Sequence, residues 1–304
     1  GTLMAVDLLE GLRESIVSMD KTGSFMKACI YGPSGVGKTV FTMKLAKRIC
    51  PPGKKILFID ASEGWVSLKN HKGLTSSVDR MLYLGKSQIE ILLKAILDDE
   101  EGFNNYGVIV LDEISTMLKV DQRVVLKNHV KKNLKDVDSD MLQWPQYNAS
   151  TQRFSELLIN ILSAVNRKGI HILFVSHMRV DKNKANLPVE SPSLTASFSE
   201  TFKEGLHLVG RLSATETRKA ASDSDDTRYT WSVQVHPTTG VVAKSRIGGL
   251  PVNTTPENLL ETITEWLAGN GENEETDREP EQETILIGEK EDDVDGFGGI
   301  IVSD

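Results

Sequence analysis

Eight residues near the start of the chain restrict its fold more than any other feature. They read Gly32-Pro33-Ser34-Gly35-Val36-Gly37-Lys38-Thr39, which matches the phosphate-binding pattern G-x-x-x-x-G-K-T at every fixed position. A short apolar run, Lys27 to Tyr31, precedes the motif, and a segment with helical spacing, Val40 to Ile49, follows it. This is the strand, loop and helix context that the motif requires. The sequence therefore predicts a phosphate-binding loop inside an α/β domain.

The residue types of the loop suit a nucleoside triphosphate. Glycines let successive backbone amides approach a phosphate chain, and the helix N-terminus adds partial positive charge. We expect Lys38 to contact the β- and γ-phosphates and the hydroxyl of Thr39 to complete the ligand shell of a Mg²⁺ ion. ATP and Mg²⁺ are the predicted cofactors.

Strands and helices alternate over most of the chain, which is typical of a mainly parallel sheet with helices on both faces. Besides the strand before the loop, apolar runs predict strands at Lys55–Asp60, Met81–Leu84, Gly107–Asp112 and Ile170–Ser176. Helical spacing predicts helices at Ser87–Leu97, Thr151–Val165 and Pro256–Leu267. Three segments rich in β-branched and aromatic residues, Leu206–Thr215, Thr227–Val235 and Gly240–Ile247, predict antiparallel strands at the sheet's edge.

Charge is distributed unevenly along the chain. Residues 271–304 contain 13 acidic and 2 basic residues, a net charge of −11, whereas residues 1–270 contain 30 acidic and 33 basic residues, a net charge of +3. A segment that polar cannot bury a core. We therefore predict an N-terminal helix in residues 1–23, an ATPase core in residues 24–268 and a disordered acidic tail in residues 269–304.

Neither a membrane span nor a signal peptide is apparent in the sequence. No stretch approaches the roughly 18 consecutive apolar residues of a transmembrane helix. The N-terminal segment lacks the charged, apolar and small-residue blocks of a secretory signal. We expect a cytoplasmic protein without a membrane partner.

Carboxylates at predicted strand ends are candidates for metal binding and catalysis. Asp112 ends an apolar strand and has the position of a Walker B aspartate that faces bound Mg²⁺. Two glutamates could orient or deprotonate an attacking water: Glu63, shortly after the second strand, and Glu113, directly after Asp112. In RecA-like ATPases the carboxylate follows the second strand, whereas in AAA-type ATPases it follows the Walker B aspartate.

The chain resembles the RecA/RadA/KaiC class of ATPases and, within it, phage-encoded RecA-like recombinases that anneal single strands. The resemblance covers about residues 24–250. It rests on the loop, Ile59–Gly64, Leu111-Asp112, Trp144 before a helix, Ser176-His177, and Lys244-Ser245-Arg246. The chain departs from RecA in carrying Ser-His for Asn-Gln, in one extra residue between Asp60 and Glu63, and in lacking RecA's larger terminal additions. Annealing is therefore a safer expectation than strand exchange.

The resemblance assigns roles to several residues. It implies a RecA-like P-loop core, Glu63 as the catalytic carboxylate and His177 as a γ-phosphate sensor, although a polar residue can also simply cap a strand. It implies that Lys244 and Arg246 reach the site of a neighbouring subunit, hence a homo-oligomer, ring or filament. Basic residues on an edge strand also discourage aggregation, which is the competing interpretation.

The same resemblance places DNA-binding loops after the Walker B strand and after the sensor strand. Basic residues cluster in both places, at Arg123, Lys127, Lys131 and Lys135, and at Arg179 and Lys182. A spacing of four on a helix gives a stripe that can follow phosphates, although a solvated face is the commoner meaning of such a run. Single-stranded DNA is the predicted partner, and the acidic tail could dock a single-strand-binding or replication protein.

The sequence thus predicts a DNA-stimulated ATPase of phage recombination, active in the host cytoplasm. Two other functions fit the motifs. One is an AAA-type loader or remodeller of a protein client, and the other is a KaiC-like signalling module switched by nucleotide. Whether Glu63 or Glu113 is the catalytic carboxylate separates the recombination ATPase from the AAA-type remodeller. Stimulation by single-stranded DNA separates the recombination ATPase from the signalling module.

Overall fold

The structure is a computed structural model that describes residues 10–13, 16, 24–132, 144–194, 196–217 and 228–269. Of the predicted N-terminal helix only residues 10–13 and 16 are among these, and the predicted acidic tail lies outside them beyond residue 269. Among the helices that are described, none is long and apolar enough to cross a bilayer.

The described chain forms an α/β fold around one large sheet. Its strands are β1 (Lys27–Gly32), β2 (Lys55–Asp60), β3 (Val78–Leu82), β4 (Tyr106–Asp112), β5 (His171–Lys182), β6 (Pro188–Pro192), β7 (Leu208–Thr217), β8 (Arg228–Gln234), β9 (Lys244–Ser245) and β10 (Asn253–Thr254). The helices are α1 (Lys38–Ile49), α2 (Lys86–Leu97), α3 (Ile114–Lys132), α4 (Trp144–Arg167), α5 (Ala196–Glu204) and α6 (Pro256–Leu267). Two short 3₁₀ helices, Gly64–Leu68 and Lys72–Leu74, follow β2.

The sheet has the order β10-β8-β7-β1-β5-β4-β2-β3, with β6 paired to β5 and β9 paired to β7. The strands from β7 to β3 along this path are parallel, and β8 and β10 extend the sheet with antiparallel pairs. In a parallel sheet the carboxyl ends of neighbouring strands share one edge. This edge gathers the loop after β1 and the ends of β5, β4 and β2.

Apolar side chains alternate between the two faces of the central strands, and each face has its own core. On one face, Ile109 and Phe174 pack with side chains of α2, α3, α4 and α5. On the other face, Val110 and Leu173 pack with side chains of α1 and α6. Helices thus cover both faces, and the predicted fold class is confirmed.

The structure differs from the predicted elements in several places. The strand expected at 206–215 is β7, which pairs parallel to β1, so the antiparallel part of that edge begins only at β8. The strand expected at 81–84 lies at Val78–Leu82. The strand expected at 240–247 is reduced to Lys244–Ser245. The last helix has the predicted bounds because Thr255 caps it, with its side chain accepting from the amide of Asn258, and Pro256 occupies its first turn.

The side chain of His171 is enclosed at the amino-terminal end of β5. It is 5% exposed, and its Nδ1 accepts a hydrogen bond from the amide of Met26 at 2.7 Å. Burial lowers the pKa of His171 to about 4 from its ordinary value of 6.5. The imidazole is therefore neutral in the folded protein at neutral pH.

This depressed pKa predicts a stability loss in mild acid. Between pH 6.5 and about 4 the unfolded chain protonates His171 and the folded chain does not, so stability falls as the pH falls through this window and then stays low. The contribution is on the order of 3 kcal/mol. Urea unfolding across this pH range should show a shallower decline for His171→Asn than for the wild-type protein.

The exposed histidine His71 offers the matched control, because its side chain is open to solvent. His71→Asn should follow the wild-type profile. If His171→Asn and His71→Asn change the pH dependence of unfolding equally, the buried imidazole is not its source.

Candidate nucleotide-binding site

The phosphate-binding loop connects β1 to α1, as the motif predicts. Gly35 and Gly37 have φ angles of 77° and 94°, in the left-handed region that favours glycine. Lys38, the first residue of α1, is 8% exposed, and its Nζ donates to the carbonyl oxygen of Pro33 at 2.8 Å. The loop is therefore closed on itself, with the ammonium group held among backbone carbonyls and amides.

Asp112 ends β4 and faces this loop. Its carboxylate is 2% exposed, and its Oδ2 accepts a hydrogen bond from Oγ1 of Thr39 at 2.5 Å. Burial raises the pKa of Asp112 to about 6, and the charges of Glu113 and Asp60 add to this effect. Hydrogen bonds from Thr39 and Ser62 act in the opposite direction. A carboxylate in such surroundings is stabilised by a nearby cation.

The Thr39 hydroxyl and the Asp112 carboxylate are oxygen donors of the kind that Mg²⁺ prefers. Both line a cleft of about 340 Å³ beside the loop. Its wall is completed by Ser34, Gly35, Gly37, Lys38, Val40, Ser62, Ser67, Glu113, Val175 and His177. Backbone amides, an ammonium group and two oxygen donors thus meet in one cleft, and they fit a nucleoside triphosphate with its magnesium ion.

Hydrogen bonds fix the Glu113 carboxylate in the wall of the cleft. It is 2% exposed, and it directly precedes α3. Its Oε1 accepts from the amide of Thr116 at 2.7 Å and also from the Thr116 hydroxyl, in the manner of a helix cap. Its Oε2 accepts from the amide of His177 at 2.8 Å. Sequence reasoning missed this link, because Glu113 and His177 belong to different strand ends.

His177 lies where the sequence predicts, next to the phosphate-binding loop. It is the register partner of Gly32 in the pairing of β1 with β5. Its Nε2 is 3.5 Å from Oε1 of Glu113, so the side chain and the backbone of His177 both face that carboxylate. Glu113 and His177 both line the cleft beside the loop.

Glu63 occupies the loop between β2 and the first 3₁₀ helix. Its φ is 59°, and its carbonyl oxygen accepts a hydrogen bond from the amide of Val66. Its side chain is exposed, and the carboxylate makes no hydrogen bond with the residues that the structure describes. Its neighbour Ser62 lines the cleft, with its Oγ 3.4 Å from Oδ1 of Asp112. Gly64 lies even closer: a Cβ built there would be 2.8 Å from Oδ2 of Asp112. Glu63 is thus carried by a segment that packs directly on the Walker B aspartate.

A second pocket, of about 390 Å³, adjoins the other side of the loop. Its wall combines loop residues with α6 and with Trp231 of β8, whose Nε1 donates to the carbonyl oxygen of Val36 at 3.0 Å. Apolar side chains such as Leu212 and Leu260 dominate this wall. An apolar wall of this kind suits the flat face of a nucleobase. Nothing in the local sequence around Trp231 indicated that this residue approaches the loop.

The loop, the Thr39–Asp112 pair and the sheet order are those of a P-loop NTPase, and the family comparison agrees. Residues 24–247 match the model of a family described as an AAA domain. The chain belongs to this family. By this match it is a nucleotide-binding P-loop NTPase of AAA-like type. No curated protein matches the chain significantly.

Lys244 and Arg246 lie far from the loop of their own AAA domain. Lys244 is the register partner of Val209, which pairs with Cys29 in the first half of β1, whereas the loop follows the end of β1. Nζ of Lys244 donates to the carbonyl oxygens of residues 203 and 204, and Arg246 also donates to that of Glu204. Within one chain both side chains bind the carboxyl end of α5, where cations are favoured.

Those predicted DNA-binding residues that the structure describes fall on two elements, α3 and the outer half of β5 (residues 177–182), which extend from the neighbouring strands β4 and β5 at the carboxyl edge of the sheet. Arg123 and Lys127 are exposed on α3, which follows β4. The side chain of Lys131 and all of Lys135 lie outside the described residues. Arg179 and Lys182 lie on the outer half of β5, where Nε of Arg179 is 2.7 Å from Asp181.

The short distance between Gly64 and Asp112 predicts that only glycine fits at position 64. In Gly64→Ala the new Cβ would lie 2.8 Å from Oδ2 and 3.0 Å from Cγ of Asp112, so the carboxylate must move. Overpacking of this kind costs about 1–3 kcal/mol, so we expect affinity for Mg²⁺–ATP to fall roughly tenfold. Calorimetric titration with ATP, once in Mg²⁺ and once in EDTA, measures the affinity of each variant.

The weakening should be much smaller in EDTA, because the displaced group is a metal ligand. Gly73→Ala is the matched control, since a Cβ at Gly73 would meet nothing within 4 Å. Equal losses with and without Mg²⁺ would show that the contact does not serve the metal.

Proposed function

We propose that this chain is a Mg²⁺-dependent ATPase with a RecA-like core that acts on single-stranded DNA in phage recombination or annealing. The observation that supports it best is the course of β5. This strand puts His177 beside the phosphate-binding loop and continues without interruption to Arg179 and Lys182. One continuous strand thus connects the nucleotide site to the β5–β6 hairpin, which carries Arg179 and Lys182.

In the proposed reaction, the backbone of residues 32–39 and the ammonium group of Lys38 bind the phosphates. Thr39 and Asp112 hold Mg²⁺. The metal, when bound, stabilises negative charge on the phosphate oxygens. The second pocket, with Trp231, takes the base. Glu63 orients the attacking water or accepts its proton, because its carboxylate is free of other hydrogen bonds among the described residues. Glu113 instead positions His177.

Association into a ring or filament is part of this proposal. Lys244 and Arg246 hydrogen-bond the end of α5 in their own chain, and Arg246 is exposed while Lys244 is partly exposed. Burial lowers the pKa of Lys244, and the charge of Arg246 adds to this effect. Such a cationic pair on one subunit could approach the phosphates bound by the next.

A loader or remodeller of a protein client is the second candidate. It is favoured by the match to an AAA domain family and by the position of Glu113 in the wall of the cleft. In that candidate Glu113 is the catalytic carboxylate.

Glutamine substitutions separate the two candidates. Glu63→Gln should still bind ATP but turn it over at least 100-fold more slowly, since a positioned base contributes about that much. Glu113→Gln should keep measurable turnover, because its amide oxygen can still accept one of the hydrogen bonds at this position. Steady-state phosphate release and nucleotide affinity are measured for each variant, with Lys38→Ala as the inactive reference.

The reverse result would assign catalysis to Glu113 and favour the remodeller. Circular dichroism of each variant distinguishes a catalytic defect from a loss of fold.

Stimulation of ATP turnover by DNA tests whether single-stranded DNA is the partner. ATP turnover should rise several-fold with an unstructured single-stranded oligonucleotide, and the effect should weaken as salt rises, because released counterions favour binding. Lys127→Ala and Lys182→Ala should each reduce the stimulation while basal turnover stays unchanged.

Lys54→Ala is the matched control for these two variants. Lys54 is also an exposed lysine, but it precedes β2 and therefore lies at the opposite edge of the sheet. An active ATPase that no single-stranded oligonucleotide stimulates at any salt concentration would exclude the DNA role.

A further inference from the structure

Asp60, the last residue of β2, is a fully buried carboxylate that does not line the cleft. Its Oδ1 accepts hydrogen bonds from two amides of the following loop, those of Ser62 at 3.3 Å and Gly64 at 3.0 Å. Its Oδ2 accepts from Nε of Arg80 at 2.8 Å. A buried carboxylate is costly unless it is paired and hydrogen-bonded in this way. The arrangement therefore holds the backbone of residues 61–64 in one conformation.

That conformation determines what faces Asp112. From this loop the Ser62 hydroxyl donates to the Asp112 carboxylate, and Gly64 passes so close to it that an added Cβ would clash. Glu63 lies between them with a positive φ of 59°, which is uncommon for glutamate and needs support from its surroundings. The two hydrogen bonds that the amides of Ser62 and Gly64 donate to Asp60 flank Glu63 and supply this support. The loop thus fixes the Walker B aspartate and the proposed catalytic glutamate together.

Arg80 supports the same loop from its other end. It lies on β3, an edge strand of the sheet, as the register partner of Phe58. Its guanidinium lies 5.0 Å from the ring centre of Trp65, which directly follows Gly64. Arg80 therefore contacts the residue before the loop and the residue after it, while 39% of its side chain is exposed.

We propose that Asp60 and Arg80 are positioning residues of the nucleotide site. Neither lines the cleft. Their ion pair fixes residues 61–64 against Asp112 and so sets the orientation of Glu63 toward the attacking water. This inference rests on the proposed ATPase function, and it adds that turnover depends on an ion pair at the edge of the sheet.

A second ion pair on the same strand provides a comparison. Asp79, next to Arg80, is 3.3 Å from Nζ of Lys55 and accepts from the hydroxyl of Tyr106. This pair joins β3 to the amino-terminal ends of β2 and β4 and has no contact with residues 61–64. A general need for ion pairs along β3 predicts equal effects of the two pairs, whereas a positioning role predicts an effect of Arg80 alone.

The experiment measures kcat and KM for ATP in the full-length protein. Arg80→Gln should lower kcat about tenfold while KM stays within twofold, because the phosphate-binding loop is unchanged and Thr39 still holds Asp112. Arg80→Lys, which keeps the charge, should recover part of the loss. Asp79→Asn should retain wild-type kcat.

If Arg80→Gln does not fold because it leaves Asp60 charged and unpaired, Asp60→Asn/Arg80→Gln replaces it. The new amide oxygen can still accept from Ser62 and Gly64, so this double variant should fold and turn over ATP faster than Asp60→Ala/Arg80→Gln, which has no acceptor. Equal rates of the two double variants would overturn the proposal.

Wild-type kcat in Arg80→Gln, or equal losses in Arg80→Gln and Asp79→Asn, would also overturn it while leaving the ATPase assignment intact. A wild-type protein without ATPase activity, despite binding Mg²⁺–ATP, would instead remove the proposed function and this inference together.

Discussion

The buried carboxylate of Asp112 is the group on which the arrangement of the site depends. It is 2% exposed, and its desolvation is opposed by the hydroxyls of Thr39 and Ser62. The negative charges of Glu113 and Asp60 make its ionised form still less favourable. Three carboxylates at two neighbouring strand ends repel one another and need positive charge nearby. Lys38, Arg80 and a bound magnesium ion are the charges that suit this purpose.

Parallel pairing explains how residues far apart in sequence reach this one place. Asp60 and Asp112 are register partners of β2 and β4, and Asp112 is in turn the partner of Val175 in β5. Strand ends at the same level put their following loops next to one another. Thr39 and Asp112 are 73 positions apart along the chain, yet they form a hydrogen bond because the loop and helix after β1 meet the end of β4 at this edge.

Local sequence signals predicted the elements that depend on local chemistry. The loop was predicted because its glycines and Lys38 form a pattern, and α6 because Thr255 and Pro256 mark its start. The strand at Val78–Leu82 was placed three residues too late, since this edge strand is half-exposed and the apolar run extends past it to Leu84. The outer half of β5 was missed for a related reason. It pairs with β6 outside the core, so its polar residues gave no apolar run.

Contacts between distant segments could not be predicted in this way. Trp231 donates to the carbonyl of Val36 across 195 positions of sequence, and neither residue has a neighbour that indicates the other. Gly64 is similar: a lone glycine after Glu63 predicts a turn, but its approach to Asp112 follows from the level at which two strands end. The different surroundings of Glu63 and Glu113 belong to this class, because only the fold shows that Glu113 accepts hydrogen bonds from Thr116 and His177 while the Glu63 carboxylate is exposed.

Two chains of contacts leave the site, and they differ physically. The Glu113 side chain accepts a hydrogen bond from the backbone amide of His177, so it is linked directly to the main chain of β5, which is held in the sheet by its pairing with β1. Asp60 is linked to the edge strand through the Arg80 side chain, which is partly exposed. The first contact therefore joins the cleft to the main chain of the sheet, whereas the second joins residues 61–64 to a side chain that can change rotamer while the sheet keeps its register.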